Sequence, residues 1–160
     1  MLLGKTAEKL ERLGVQTVAV VGSEPERVRL YLRYRPTHCI VGADAELAVH
    51  RAYGVPRAPL SPEIWGAVAS ASVDLARDLR LPHDEGKAYE VVDHLDGYAV
   101  TSGDQAELDK HQAQFTAQFL VDRDGVVRWA NVECARDGLA GIDQFPTEAD
   151  ILAAARTLSG

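Results

Sequence analysis

The chain has 160 residues, enough for one ordinary core, and its 46% hydrophobic and 26% charged residues exclude a disordered tail or a fibrous protein. Asp and Glu outnumber Lys and Arg by 24 to 17, and the net charge of −7 argues against nucleic acid and anionic lipid as partners. No apolar run reaches the roughly 18 residues of a membrane span. Met1-Leu2-Leu3-Gly4-Lys5 leads into charged residues rather than a signal core, so a soluble cytoplasmic protein without membrane contact is expected.

The spacing of Ala7, Leu10 and Leu13 predicts a helix over 4–13, stopped by Gly14. Thr17 to Val21 follows as a strand, apolar enough to be buried on both faces. Ser23 is placed to cap a second helix with Pro25 in its first turn and Val28, Tyr31 and Leu32 inward; Pro36 ends it. His38 to Val41 reads as a second strand. Asp44 caps a third helix, 45–53, with Leu47, Ala48 and Tyr53 inward and Gly54 as its stop. Such alternation predicts an α/β protein with parallel strands.

Residues 56–113 read as an insertion. A helix is expected over 62–80. The polar stretch 82–113 is expected to be the most mobile or peripheral part, with loops, a strand at 89–92 and a short helix near 104–112 behind Ser102. Phe115 to Val121, Asp122-Arg123-Asp124-Gly125 and Val126 to Val132 spell a β-hairpin. Thr147, with Asp150 three residues on, starts a last helix over 147–158 with Ile151, Leu152 and Ala155 inward.

Three strings are instructive together. They are Leu10-Glu11-Arg12-Leu13-Gly14-Val15 running into Val18-Ala19-Val20-Val21, Ala48-Val49-His50-Arg51-Ala52-Tyr53-Gly54-Val55, and Phe119-Leu120-Val121-Asp122-Arg123-Asp124-Gly125-Val126-Val127-Arg128-Trp129. In this order they resemble the redoxin family of the thioredoxin fold, the peroxiredoxin-like alkyl hydroperoxide reductase and thiol-specific antioxidant proteins. The likeness covers about 1–55 and 115–158 and leaves out the insertion. It implies one thioredoxin-like three-layer α/β domain over 1–160, with the long insertion ahead of the hairpin and last helix. It also implies thiol-dependent antioxidant or peroxidase chemistry. In such relatives a thiolate attacks the peroxide oxygen, becomes a sulfenic acid and is recycled by a second thiol.

The same resemblance places a strand and the reactive cysteine ahead of the first long helix. The chain is therefore expected to be N-terminally truncated relative to the family. The family's Pro or Arg before the hairpin strand falls at about Thr116 here, so no family catalytic residue transfers to this chain. Weak or absent activity is expected, and whether the chain is an enzyme stays open. The alternative is a non-catalytic thioredoxin-fold interaction module that binds a partner through 56–113. A thiol reductant, another protein or a second copy are the implied partners. The absent strand would lie between 17–21 and 115–121. Direct pairing of those two strands, insertion of Glu90 to Val92, or a strand from a partner chain would close the gap. Direct pairing leaves apolar surface near Met1–Leu3, so a dimer or a poorly stable monomer is expected.

Cys39 and Cys134 form no Cys-x-x-Cys pair, and two cysteines are too few for a disulfide scaffold or a structural zinc site. Cys39 reads as filler in a buried strand, with His38 on its opposite face. Cys134 is the one weak catalytic candidate. Arg136 would favour its thiolate and Glu133 would oppose it. The two thiols are expected to show ordinary reactivity and no mutual bridge. His83-Asp84-Glu85 and Asp93-His94-Leu95-Asp96 read as solvated acidic loops rather than metal ligands, and no cofactor or metal is expected. Trp129 reads as sheet packing. Trp65 is an interface anchor or packs locally, the latter being favoured.

Overall fold

The computed structural model describes residues 2–84, 86–95 and 97–159. These residues form a mixed α/β structure with seven α-helices and three two-stranded sheets. The chain divides into two compact units. The first holds Met1–Val55, Thr116–Val132 and Phe145–Gly160; the second holds Pro56–Phe115 and Glu133–Gln144. No helix among the described residues is long and apolar enough to cross a membrane.

The first unit begins with α1 (Leu2–Glu11), which buries Thr6, Ala7 and Leu10 on one face. Its end follows from Gly14, whose φ of 76° suits a residue without a Cβ. The Gly14 N–H donates to Glu11 O at 2.8 Å and the Val15 N–H to Leu10 O at 3.0 Å, satisfying carbonyls that the helix leaves open. β1 (Val18–Val21) and β2 (Ile40–Ala43) pair in parallel, Val18 opposite Ile40, and α2 (Pro25–Tyr34) connects them. Pro25 opens α2, but its N-cap is Glu24 without a side-chain cap bond, one residue later than Ser23. α3 (Ala48–Ala52) is shorter than 45–53 because Leu47 takes a left-handed φ of 54° at its N-cap. Leu47 is buried as expected, whereas Ala48 is exposed and Tyr53 packs its ring on Phe119 at 4.9 Å.

The hairpin forms from β5 (Ala117–Val121) and β6 (Val127–Val132). Asp122 organises its turn: one carboxylate oxygen accepts from the Asp124 and Val126 N–H groups, both at 2.9 Å, and the other from Arg128 Nε. Gly125 closes the turn at φ 80°. α7 (Glu148–Arg156) starts with the predicted capping box: the Thr147 hydroxyl accepts from the Asp150 N–H, and the Asp150 carboxylate accepts from the Thr147 N–H.

These elements meet in a core of Leu10 from α1, Leu120 from β5 and Ala155 from α7, flanked by Leu13, Val15, Trp129, Ile151 and Leu152. A polar tie runs beside it. Glu148 on α7 accepts from Lys9 Nζ and from the Thr6 hydroxyl on α1. The Lys9 hydrogen bond, outweighing partial desolvation, holds the Glu148 carboxyl below its ordinary range.

Several expectations are corrected here. β1 and β2 are not buried on both faces: Val18 is 56% and Ile40 54% exposed, because a two-stranded sheet has too few neighbours to cover them. β2 starts two residues after His38, so His38 and Cys39 precede the strand. Direct pairing of 17–21 with 115–121 does not occur: among the described residues β1 pairs with β2 and β5 with β6. Met1, invoked with Leu2 and Leu3 as exposed apolar surface, lies outside the described residues.

In the second unit, β3 (Arg57–Ala58) and β4 (Ala113–Gln114) pair antiparallel, and the Phe115 N–H donates to Pro56 O. This pairing staples the two ends of 56–115 together, so the stretch between them closes on itself. α4 (Pro62–Asp78) starts at Ser61, whose hydroxyl accepts from the Ile64 N–H, with Pro62 in its first turn. α5 (Ala88–Asp93) replaces the expected strand at 89–92, so Glu90 to Val92 cannot serve as a sheet strand. The reason is legible in the spacing. Ala88 is buried and Val91 and Val92 are half-buried, an i, i+3, i+4 face rather than an alternation. α6 (Ser102–His111) starts with a second capping box, Thr101 with Asp104.

Truncating the central residue of the first unit tests this packing. Leu120→Ala should lower the unfolding free energy by about 3 kcal/mol, and Val126→Ala, at an exposed position, by under about 0.5 kcal/mol. Urea unfolding followed by circular dichroism reads both.

Candidate functional site

Cys134 lies in a loop of the second unit, Glu133–Gln144, that passes three times through left-handed backbone, at Cys134, Gly138 and Asp143. Cys134 has φ 62° and Asp143 φ 61°. Between them a single 3-10 turn, Gly138–Gly141, brings Gly141 against Cys134; a Cβ on Gly141 would lie 3.4 Å from the Cys134 N and Cα. The loop is closed by Glu133, which is buried and accepts the Asp143 N–H at 2.9 Å through Oε1. A buried carboxylate that satisfies a backbone donor across ten residues holds the loop in shape.

That arrangement sets the chemistry of the thiol. Burial, and then the charge of the adjacent Glu133, push the Cys134 thiol up from its ordinary range. Of the two neighbours weighed from the sequence, Glu133 is the one that acts, and it acts against the thiolate. The Asp143 carboxyl is raised by the same two causes, burial first and Glu133 second. A protonated thiol is a poor nucleophile, so the loop presents Cys134 as a held, weakly reactive sulfur.

The other candidates are placed as follows. Cys39 is half-buried, with its Sγ 3.2 Å from the Thr37 hydroxyl, and both cysteines are free thiols. The ring nitrogens Nδ1 of His83 and His94 meet backbone oxygens of Leu81 and Tyr98 at 3.0 and 2.9 Å. Glu85 and Asp96, members of the two acidic strings, lie outside the described residues. Among the described residues no group of three or more His, Cys, Asp or Glu side chains is placed to hold a metal ion. Trp129 is half-buried against the core of the first unit, whereas Trp65 on α4 is 51% exposed.

Two arrangements were missed by sequence reasoning. One is the closure of the loop by Glu133 and Asp143, which no short motif announces. The other is an Asp–His contact in the first unit. Asp44 accepts the Ala48 and Val49 N–H groups, both at 2.8 Å, and its Oδ2 lies 3.3 Å from His50 Nδ1. Burial works to raise the Asp44 carboxyl, but these bonds together hold it below its ordinary range. The signal is an aspartate, read from the sequence as the helix cap, six residues ahead of a histidine; the N-cap itself is Leu47. A carboxylate on Nδ1 orients the ring, leaving Nε2 as its other nitrogen.

Comparison with known proteins finds no matching family model, no matching curated protein and no matching solved structure.

The thiol geometry has a kinetic consequence. In Cys39→Ser, which leaves Cys134 alone, iodoacetamide should react more slowly at neutral pH than with an unstructured thiol peptide, and the rate should rise with pH to a higher midpoint. Adding Glu133→Gln should move that midpoint down. Mass spectrometry of the alkylated protein measures both.

Proposed function

We propose that the chain is a redoxin-like scaffold of the thioredoxin type whose two thiols do not run peroxidase chemistry, and that it works through binding. The observation that carries this reading is the state of Cys134. Peroxide attack needs an accessible thiolate, and burial together with Glu133 favours the protonated form. Cys39, beside the Thr37 hydroxyl and in the other compact unit of the chain, gives it no neighbouring resolving thiol within that unit.

The scaffold part of the reading is supported by element order. A helix, two parallel strands with a helix between them, a short helix, then an antiparallel hairpin and a closing helix follow the order of the thioredoxin fold around the 56–115 stretch. The binding part is supported by the second unit. Its ends are stapled by β3 and β4, and α4 exposes half of a tryptophan, a side chain that contributes heavily when buried in an interface.

Peroxide consumption in the presence of a dithiol tests the reading. The wild-type chain should consume peroxide no faster than the dithiol alone, and Cys134→Ser should match it. Protein-dependent turnover that is lost in Cys134→Ser would replace this reading with the catalytic one.

A further inference from the structure

The contact between Asp44 and His50 is chemistry that neither thiol uses, and it lies wholly within the first unit. It sits at the carboxyl ends of β1 and β2. Asp44 follows β2 directly, and its N–H donates to Val21 O, at the end of β1, at 2.8 Å. In open parallel sheets that edge is where ligands bind.

Asp44 is fixed before it meets the ring. Its Oδ1 accepts the Ala48 N–H and its Oδ2 the Val49 N–H, both at 2.8 Å. Burial acts to raise its carboxyl, but the bonds hold it below its ordinary range, so His50 faces a carboxylate. A carboxylate accepts and does not donate. The proton of the neutral ring therefore sits on Nδ1, 3.3 Å from Oδ2, and the lone pair on Nε2. Nε2 has no hydrogen-bond partner among the described residues, and the side chain is 19% exposed. Among the described residues His50 alone of the five histidines has a carboxylate on its ring. Tyr53 stands one turn further along. Its N–H still donates to Val49 O at 3.0 Å, so it continues the helix and falls on the same side as His50. Its ring, packed on Phe119, is part of an apolar surface beside the histidine.

We propose that His50 is an acyl-accepting nucleophile positioned by Asp44, and that this edge of the first unit hydrolyses neutral esters bearing an aromatic group. The Nε2 lone pair attacks the ester carbonyl carbon. The bond from that carbon to the leaving oxygen breaks, and its electron pair goes to the oxygen. The ring keeps its Nδ1 proton, so the acylated ring is positive, and the Asp44 carboxylate stabilises that charge as it develops. Water then adds to the acyl carbon, the C–N electron pair returns to Nε2, and the proton released goes through solvent to the departed oxygen. Ester and water become acid and alcohol, with no oxidant or reductant. Tyr53 and Phe119 favour an aromatic group on the substrate. The carboxylate behind the ring and the net charge of −7 disfavour an anionic electrophile such as a phosphoryl donor. The proposal goes beyond the binding reading and does not depend on it.

Release of p-nitrophenolate from p-nitrophenyl acetate tests it, with the full chain carrying Cys39→Ser and Cys134→Ser so that neither thiol contributes. The chain should react about tenfold faster than N-acetylhistidine at the same concentration of imidazole. His50→Gln should remove nearly all of that excess. Asp44→Asn keeps an oxygen to accept the N–H groups of α3, and it should lower the rate about tenfold. Proton–nitrogen spectra of Asp44→Asn should also show that His50 has lost its fixed Nδ1–H tautomer, which a merely structural role would not change. Circular dichroism confirms that the variants are folded. Mass spectrometry after a short pulse should place the acetyl group on His50 whether or not the variants fold. A rate no greater than that of N-acetylhistidine, a rate unchanged in His50→Gln, or an acetyl group found on other residues alone overturns the proposal. An Asp44→Asn variant that keeps both rate and tautomer overturns the positioning role. Peroxide turnover reads the thiols and is separate from each of these results.

Discussion

Leu10, Leu120 and Ala155 come from the first helix, the hairpin and the last helix, and their mutual burial is what makes the first unit one body. Each element is weak alone. α1 and α7 have 10 and 9 residues, below the length at which an isolated helix holds in water, and a lone two-stranded hairpin is marginal. Each presents an apolar stripe that only the other two can cover. Ala155, with no exposure, lets α7 approach closely, and Leu10 and Leu120 fill the space. The Glu148 contacts to Lys9 and Thr6 set the approach of α1 and α7 at their polar edge; the Thr6 arm is part-buried, while the Lys9 ion pair is exposed and adds orientation more than stability.

The second unit is organised by a different constraint, the closure of its ends. Two residue pairs between β3 and β4, with the Gln112 side chain accepting the Leu60 N–H at 3.1 Å, bring together chain positions more than fifty residues apart. Once the ends are joined, α4 with its Ser61 cap and α6 with its Thr101 box form on local signals. The cost of a compact acidic unit is self-repulsion, and exposure is how it is relieved: Asp74, Asp78, Asp84, Glu90, Asp93 and Asp109 all face solvent. The Glu133 carboxylate, by contrast, is buried. Its charge adds to the burial of the Cys134 thiol, the larger cause, in pushing that thiol further up from its ordinary range.

Local chemistry was legible in the residues; long-range pairing was not. The Thr147–Asp150 box, the Asp122–Gly125 turn, the Gly14 stop and the Pro62 start are each decided within five residues, and each forms where the sequence puts it. One error falls where a neighbour distant in sequence decides, and another where a local helical spacing reads as a strand. Val18 and Ile40 look like the interior of a wide sheet, yet their sheet has two strands and leaves them open. Val91 and Val92 look like a strand when taken alone, and Ala88 three residues back makes them a helix face. At the candidate site, Cys134 and its acidic neighbour were visible. The return of Asp143 onto Glu133 was not, because ten residues, with left-handed backbone at Cys134 and Gly138, separate them.

The Leu10–Leu120–Ala155 contact is what closes the first unit. Native-state amide exchange in increasing urea measures it directly, since segments that open together share one opening free energy. Amides of α1, β5 and α7 should lose protection together. Loss of protection in α1 or α7 at far lower urea than in β5, with β5 unaffected, would contradict the account.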